Sequence, residues 1–499
     1  MSSRTVILAF AVLAAFTPTV ARAQPDASAN VAAIEKTVVE AIARAEPSVV
    51  AISRSTPQQA PLVVQGLGDA FGEFRQNATP GAAAAVVAAG VFIDPSGLVL
   101  TQYLAAREGE QHTVTTIDGQ TYAASIRAAD PRSGLAILAI DRATGSIQQK
   151  RDARNAAPGS FPAIRLGSAD ALRKGQFIIV IGNPFAVESD GQPTASWGIV
   201  TNLARKAPPA TNLNDASGPY NDFRTTIHHL GTLIQTDAKL GWSAGGGALV
   251  NMRGELVGLT TTAATIAGHE QPAGYAIPMS TATRRIIDAL KQGREVEYGM
   301  LGIGFGQPPL APAGARSSQL TVAQVYAGGP AARAGLRSGD VITRIGEKPV
   351  TDVDAVQLAV SILPPATDIT VAYERDGRSA TANVTLAKLA VVGKSIATVR
   401  PPAWLGIRVD YATALDATQL AEAISSNAYD PKGCVLVVEA EPQSEAWQAG
   451  VRPGMFISHV GGTRVATPEN FRAATKNVGG NLDIKLTQPV MPASDGLPN

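Results

Sequence analysis

The stretch Gly241-Trp242-Ser243-Ala244-Gly245-Gly246-Gly247-Ala248-Leu249-Val250-Asn251 sets a hydroxyl beside a glycine run. A serine there could attack a carbonyl while backbone N–H groups receive the developing oxyanion. That chemistry also needs an imidazole to take the proton and a carboxylate to hold the imidazole in the right tautomer. The chain offers five histidines, His112, His228, His229, His269 and His459. The pair His228-His229 falls in a polar stretch, 206–231, which predicts solvent-exposed loop histidines, and the same is expected of His112 and His269. None has metal-ligand spacing, and the single cysteine, Cys434, lies in the apolar run 434–438, where it reads as a small buried hydrophobe. No metal, cofactor or disulfide framework is therefore expected.

The elements that would carry these residues are short strands. With 48 Gly and 33 Pro in 499 residues, turns are frequent, and 45% hydrophobic against 17% charged residues describes a globular chain of about three domains. A hairpin is predicted over 86–93 and 98–101 around Asp94-Pro95-Ser96-Gly97, and a second over 113–128 turning at Asp118-Gly119. Further strands are expected at 135–140, 177–181, 198–202, 232–236, 247–250 and 255–260, a pattern of sandwiches or barrels. A helix over 282–291 closes this region, and an amphipathic helix over 34–50 precedes it, leading into a strand. A surface loop is expected over 57–82.

Beyond residue 297 the chain repeats. Ala334-Gly335-Leu336-Arg337-Ser338-Gly339-Asp340-Val341-Ile342 returns 115 residues later as Ala449-Gly450-Val451-Arg452-Pro453-Gly454-Met455-Phe456-Ile457. Each copy has a Leu-Gly-Ile upstream, at 301–303 and 405–407, which marks two related modules of about 90 residues. The connection between them is expected at 399–402, Val-Arg-Pro-Pro.

Residues 1–23 have the grammar of an export signal: Arg4, the apolar run 6–16, then Ala21-Arg22-Ala23. No later stretch is apolar enough for a membrane span, so the mature protein is expected to be exported, to the periplasm or the extracellular space, with no span. Lys plus Arg number 42 against 41 Asp plus Glu, and this balance gives no field to hold nucleic acid.

Together the markers 90–94 and 100–101, Asp130-Pro131-Arg132-Ser133, 180–185, 234–238, 246–251 and 275–278 resemble the HtrA family of exported serine proteases. The resemblance implies a mostly β fold, a chymotrypsin-like double β-barrel followed by two PDZ domains. The chain then divides into a signal peptide (1–23), an N-terminal segment and loop (24–82), a protease-fold domain (83–295) and PDZ domains over 297–392 and 402–488. The triad can be sought at its expected places. Where the family has Leu-Thr-Asn-x-His, this chain has Leu100-Thr101-Gln102-Tyr103-Leu104; where it has Asp-Pro-x-x-Asp-Leu-Ala, this chain has Gly134; and the nucleophile's place, eight residues after Asp237, is Gly245. Ser243, two residues upstream, is the fallback nucleophile, and Ser243 and Gly245 would supply the oxyanion-hole N–H groups. Two residues of extended chain span roughly 7 Å, too far for the reaction unless the base is also re-sited. The first expectation is thus a pseudoprotease that binds peptides or unfolded-protein C-termini through its PDZ domains. Leu301, Gly302, Ile303, Leu405, Gly406 and Ile407 would receive the terminal carboxylate. The alternative is an active serine endopeptidase of periplasmic protein quality control using Ser243. The resemblance further implies homo-oligomers, usually trimers, or assembly with an active relative.

Overall fold

The computed structural model describes residues 27–55, 85–144, 160–182, 192–207, 226–239, 245–261, 274–306, 320–478 and 483–486. The export signal, the loop 57–82, Ser243 and His269 lie outside these residues. Helix α1 (Ala27–Ala45) passes through a 3-10 turn (Glu46–Ser48) into β1 (Val49–Ser55). The helix starts earlier and stops sooner than its periodicity predicts. Pro47 lacks an N–H and disfavours the helical region for the residue before it, so the apolar residues 49–52 continue as strand.

Six strands close the first barrel: β1, β2 (Ala85–Asp94), β3 (Leu98–Gln102), β4 (Gln111–Thr115), β5 (Thr121–Asp130) and β6 (Leu135–Ile140), in the order β5-β4-β1-β2-β3-β6 with β5 pairing β6. The first hairpin turns as its sequence demands: Ser96 N–H donates to Asp94 Oδ1 at 2.9 Å and Gly97 takes φ +100°. The second closed barrel comprises β7 (Phe177–Gly182), β8 (Thr194–Arg205), β9 (Leu233–Thr236), β10 (Ala248–Val250), β11 (Leu256–Thr261) and β12 (Gly274–Pro278), in the order β10-β11-β12-β9-β8-β7. Helix α2 (Thr281–Lys291), capped by Ser280 accepting from Thr283 N–H, buries Ile286, Ile287 and Leu290 in the core cluster that also takes Val91, Leu100, Ile179 and Val250. That shared cluster joins the two barrels.

The first repeat comprises β13 (Gly299–Met300), β14 (Ile303–Phe305), β15 (Val322–Val325), β16 (Val341–Ile345), β17 (Lys348–Pro349), α3 (Val353–Ser361), β18 (Asp368–Arg375), β19 (Arg378–Thr385) and β20 (Ala387–Lys388). After β21 (Ile396–Ala397) the second repeat follows with β22 (Ile407–Tyr411), α4 (Ala417–Ser425), β23 (Val435–Ala440), β24 (Phe456–Val460), β25 (Thr463–Arg464), α5 (Pro468–Val478) and β26 (Ile484–Leu486). The repeat in sequence is a repeat in bonding. Gly339 N–H donates to Val322 O and Gly454 N–H to Val437 O, both at 2.9 Å. Leu336 N–H donates to Ala331 O and Val451 N–H to Ala446 O, both at 3.0 Å. The connection expected at 399–402 is preceded by β21, which pairs with β5 and so belongs to the first barrel.

Candidate functional site

The segments that would form a triad meet where the barrels join. Gly245 O accepts from Ala89 N–H of β2 at 2.9 Å, and Gly246, at φ +89°, donates to Thr260 O at 2.7 Å. A β-carbon on Gly246 would come within 2.2 Å of Ala89 O, so the second glycine is required by close backbone approach. At Gly245 the obstacle is a side chain. A β-carbon there would lie 2.6 Å from Gln102 Oε1 and 2.8 Å from its Cδ and Nε2. Gln102, only 6% exposed, is one methylene longer than the asparagine of the resembled pattern, and its amide fills the space before the nucleophile position.

Leu104 sits half-buried in a 3-10 turn (Tyr103–Ala105), and its carbonyl accepts from Arg54 at 3.3 Å. Gly134 takes φ +68° and its carbonyl accepts from Tyr103 N–H at 2.7 Å, tying the base and carboxylate positions together. Beside Gly134 stands His228. A β-carbon on Gly134 would lie 3.6 Å from His228 Nε2 and 3.8 Å from Ile277 Cδ1.

His228 corrects the expectation of an exposed loop histidine, being 2% exposed in a 3-10 turn (Ile227–Leu230), with His229 half-buried beside it. Composition marks the stretch as polar, but it cannot show that Gly134 leaves beside it a space an imidazole can fill. Nε2 lies 2.9 Å from Ser133 O, which can only accept, so Nε2 carries the proton and Nδ1 accepts from Thr232 Oγ1 at 2.7 Å. Burial is the main cause that pushes this imidazole down to about 4. Both ring nitrogens are thus committed to the scaffold, and the ring is neutral at pH 7. His112 is also buried rather than exposed, because β4 begins two residues before the predicted hairpin and alternation turns it inward; its Nε2 accepts from Arg107 N–H at 3.3 Å. His459 lies half-buried on β24.

Asp130 is the buried carboxylate of this region, and it holds no imidazole. Its Oδ2 accepts from Tyr298 O–H and from Ser133 N–H at 2.8 Å, while burial pushes its carboxyl up. Cys434 is buried as expected, its thiol pushed up to about 11 by burial.

The two Leu-Gly-Ile loops share their backbone bonding. Leu301 O accepts from Ala331 N–H and Leu405 O from Ala446 N–H; Gly302 O accepts from Tyr326 N–H and Gly406 O from Glu441 N–H. Both glycines are left-handed, at φ +78° and +87°. Beyond each loop runs an edge strand: among the described residues β14 pairs only with β15, and β22 only with β23. Half-buried Ile303 and Phe305 of β14 pack on the apolar cluster containing Val356 and Val360 of α3. The loops differ at one donor. Ile407 N–H donates to Trp404 O at 2.9 Å and Ile407 O accepts from Trp404 N–H, so the second loop is closed on itself and one expected carboxylate donor is already used.

Two closed β-barrels with the nucleophile segment at their junction, followed by modules with a left-handed glycine loop and an open strand edge, define a trypsin-like fold carrying PDZ domains. Comparison with known proteins agrees: the family described as "Trypsin-like peptidase domain" matches residues 88–259, and "PDZ domain" matches residues 299–386. The periplasmic serine endoprotease DegP of Salmonella typhimurium is 30% identical over 373 residues, which span 74% of this chain and 67% of that protein. A probable periplasmic DegP-like serine endoprotease of Chlamydia trachomatis is 29% identical over 421 residues, 83% of this chain and 75% of that protein. A solved structure of the HtrA-type protease AlgW with a decapeptide is 25% identical, with a TM-score of 0.49 over 73% of this chain and 99% of that chain. The chain belongs to the DegP/HtrA family of serine proteases. No helix among the described residues is long and apolar enough to cross a membrane.

Proposed function

We propose that this protein is an exported, non-catalytic member of its family that binds peptides or unfolded chains through its PDZ modules. The observation carrying the reading is the state of the three triad positions. Leu104, Gly134 and Gly245 bear no base, carboxylate or nucleophile, and Gln102 and His228 stand in the spaces beside two of them. In a well-studied serine protease, loss of the serine or the histidine alone costs about 2 × 10⁶ in rate, roughly 8–9 kcal/mol of transition-state stabilisation. What two backbone N–H groups could still supply is about 10³–10⁴ over water. The open edges of β14 and β22 support strand addition by an extended peptide, with the glycine loops receiving its carboxylate. Export is supported by the signal-like residues 1–23 and by the periplasmic names of the relatives.

The test is degradation of casein by the purified full chain beside its Ser243→Ala variant, with fluorophosphonate labelling of both. No turnover and no label are expected. Turnover that disappears in Ser243→Ala establishes the endopeptidase instead.

A further inference from the structure

The segment between the two PDZ modules is bonded along the first barrel. Leu389 N–H donates to Tyr298 O at 2.7 Å, and half-buried Leu389 and Val391 pack on the main core. Gly393, at φ +101°, passes Pro131 so closely that a β-carbon would lie 3.0 Å away. Tyr103 O–H donates to Lys394 O at 3.0 Å, and Lys394 is ion-paired with Glu108. Ile396 and Ala397 pair with Ala129 and Ala128 of β5, Thr398 Oγ1 donates to Arg127 O at 2.8 Å, and Val399 N–H donates to Gly293 O at 2.8 Å. Tyr103 adjoins Leu104, and Pro131 lies in the segment leading to Gly134. Two of the three triad-position segments therefore touch the connection.

At its start the same segment holds the second module. The Lys388 ammonium, on a side chain 5% exposed, lies 2.6 Å from Asp410 of β22, 3.0 Å from Glu295 and 3.5 Å from Glu297. Thr413 Oγ1 donates to Lys388 O at 2.6 Å. One cation thus joins the end of the protease fold, the end of the first module and the first strand of the second. The second module also meets the first directly, Tyr429 O–H donating to Gly328 O at 2.9 Å, and the connecting segment itself is short. β21 is two half-buried residues long, Val392 is 66% exposed, and a cavity of about 730 Å³ lined by β4, β5 and residues 396–398 opens beside it.

We propose that residues 389–399 are a releasable strap, pinned by Lys388, that couples the docking of the second PDZ module to the barrel segments carrying Leu104 and Gly134. The strap and module dock and release together. This coupling is independent of whether the barrel cleaves peptides. Because coupling between two sites is reciprocal, it can be read from either end by amide hydrogen exchange on the full chain. In Lys388→Met, exchange at 396–399 and 128–130 should rise roughly tenfold or more together with 408–411, while 178–181 stays protected. A rise at 408–411 alone overturns the proposal. Should Lys388→Met also expose 178–181, the pair Tyr103→Phe and Thr398→Val decides from the other end. Its disturbance must appear at 408–411 as well as at 396–399, and unchanged exchange at 408–411 overturns the coupling.

Discussion

Gly245 and Gln102 make a steric pair, and their relation predicts what a serine at position 245 would do. In Gly245→Ser the new side chain meets the Gln102 amide inside contact distance, so the buried amide must move. Overpacking of this kind costs about 1–3 kcal/mol. Thermal unfolding should show that loss in Gly245→Ser and recover part of it when Gln102→Asn shortens the neighbour by a methylene. Additive effects of the two changes would refute the steric pairing. His228 gives a second prediction at this scale. Its folded pKa, about 4, lies below the ordinary 6.5, so the unfolded chain binds the extra proton first. Its contribution is fully present above about pH 6.5 and is lost as pH falls toward 4, amounting to up to about 3 kcal/mol. Denaturant titrations across that window should show a shallower pH dependence in His228→Gln than in the parent.

Strands and loops decide the binding predictions. Among the described residues no bond like the Trp404–Ile407 pair, which closes the second loop, engages the isoleucine amide of the first. An apolar C-terminal peptide should therefore bind mainly to the first module, and amidating its terminus should weaken it. A β-branched side chain at φ +78° is strained by roughly 1–2 kcal/mol, so Gly302→Val should cost about tenfold or more in affinity by calorimetry. At Gly406 a β-carbon would lie 2.2 Å from Ser444 Cβ, so Gly406→Ala should lower the stability of the second module and leave peptide affinity nearly unchanged. Equal losses of affinity at both loops would contradict this division. The repeats also diverge in how the hairpin turn is held: Arg337 N–H donates to Asp340 Oδ2 at 2.8 Å, whereas Arg452 N–H meets Met455 Sδ at 3.3 Å. Asp340 is further gripped by Arg375 at 2.7 and 2.8 Å, so one module uses a buried carboxylate where its copy uses a thioether.

Across the whole molecule, docking of the first module is visible in Arg285 donating to Ile362 O at 3.1 Å and in the ion pair of Lys206 with Asp354, beside the turn that carries His228. The second module is held at Lys388 and also directly by the first module, where Tyr429 O–H donates to Gly328 O at 2.9 Å. Burial opposes this ammonium, yet Asp410, Glu295 and Glu297 raise its pKa, so it stays charged. Removing one carboxylate leaves two partners, whereas removing the cation leaves three acidic groups facing one another. Asp410→Asn should accordingly lower the melting temperature less than Lys388→Met does. The opposite ranking would show that the Asp410 contact carries the junction by itself.

Local signals were enough for much of this. Alternating apolar runs with Gly, Asp and Pro turns fixed the hairpins at 85–102 and 111–130, because strand period and turn chemistry are properties of neighbours in the chain. The duplicated glycine hairpin marked a repeat that recurs in the backbone bonding, and register counting from Asp237 pointed to Gly245. Helix α1 was misplaced at its end because a proline outweighed the apolar periodicity. The burial of His228 was invisible, since it depends on what a distant segment leaves open, Gly134 lying 94 residues before it; that of His112 was missed because the start of β4, and with it the strand's phase, was set two residues late. The strap was equally hidden. Two residues of strand carry no periodicity, and their partner is a barrel edge more than 250 residues away. The sequence by itself determined which residues stand at the counted positions, Leu104, Gly134 and Gly245, because identity at a counted position needs no third dimension. Only the tertiary structure decided what surrounds those positions and what ties the modules to them, because packing joins residues that the chain keeps far apart.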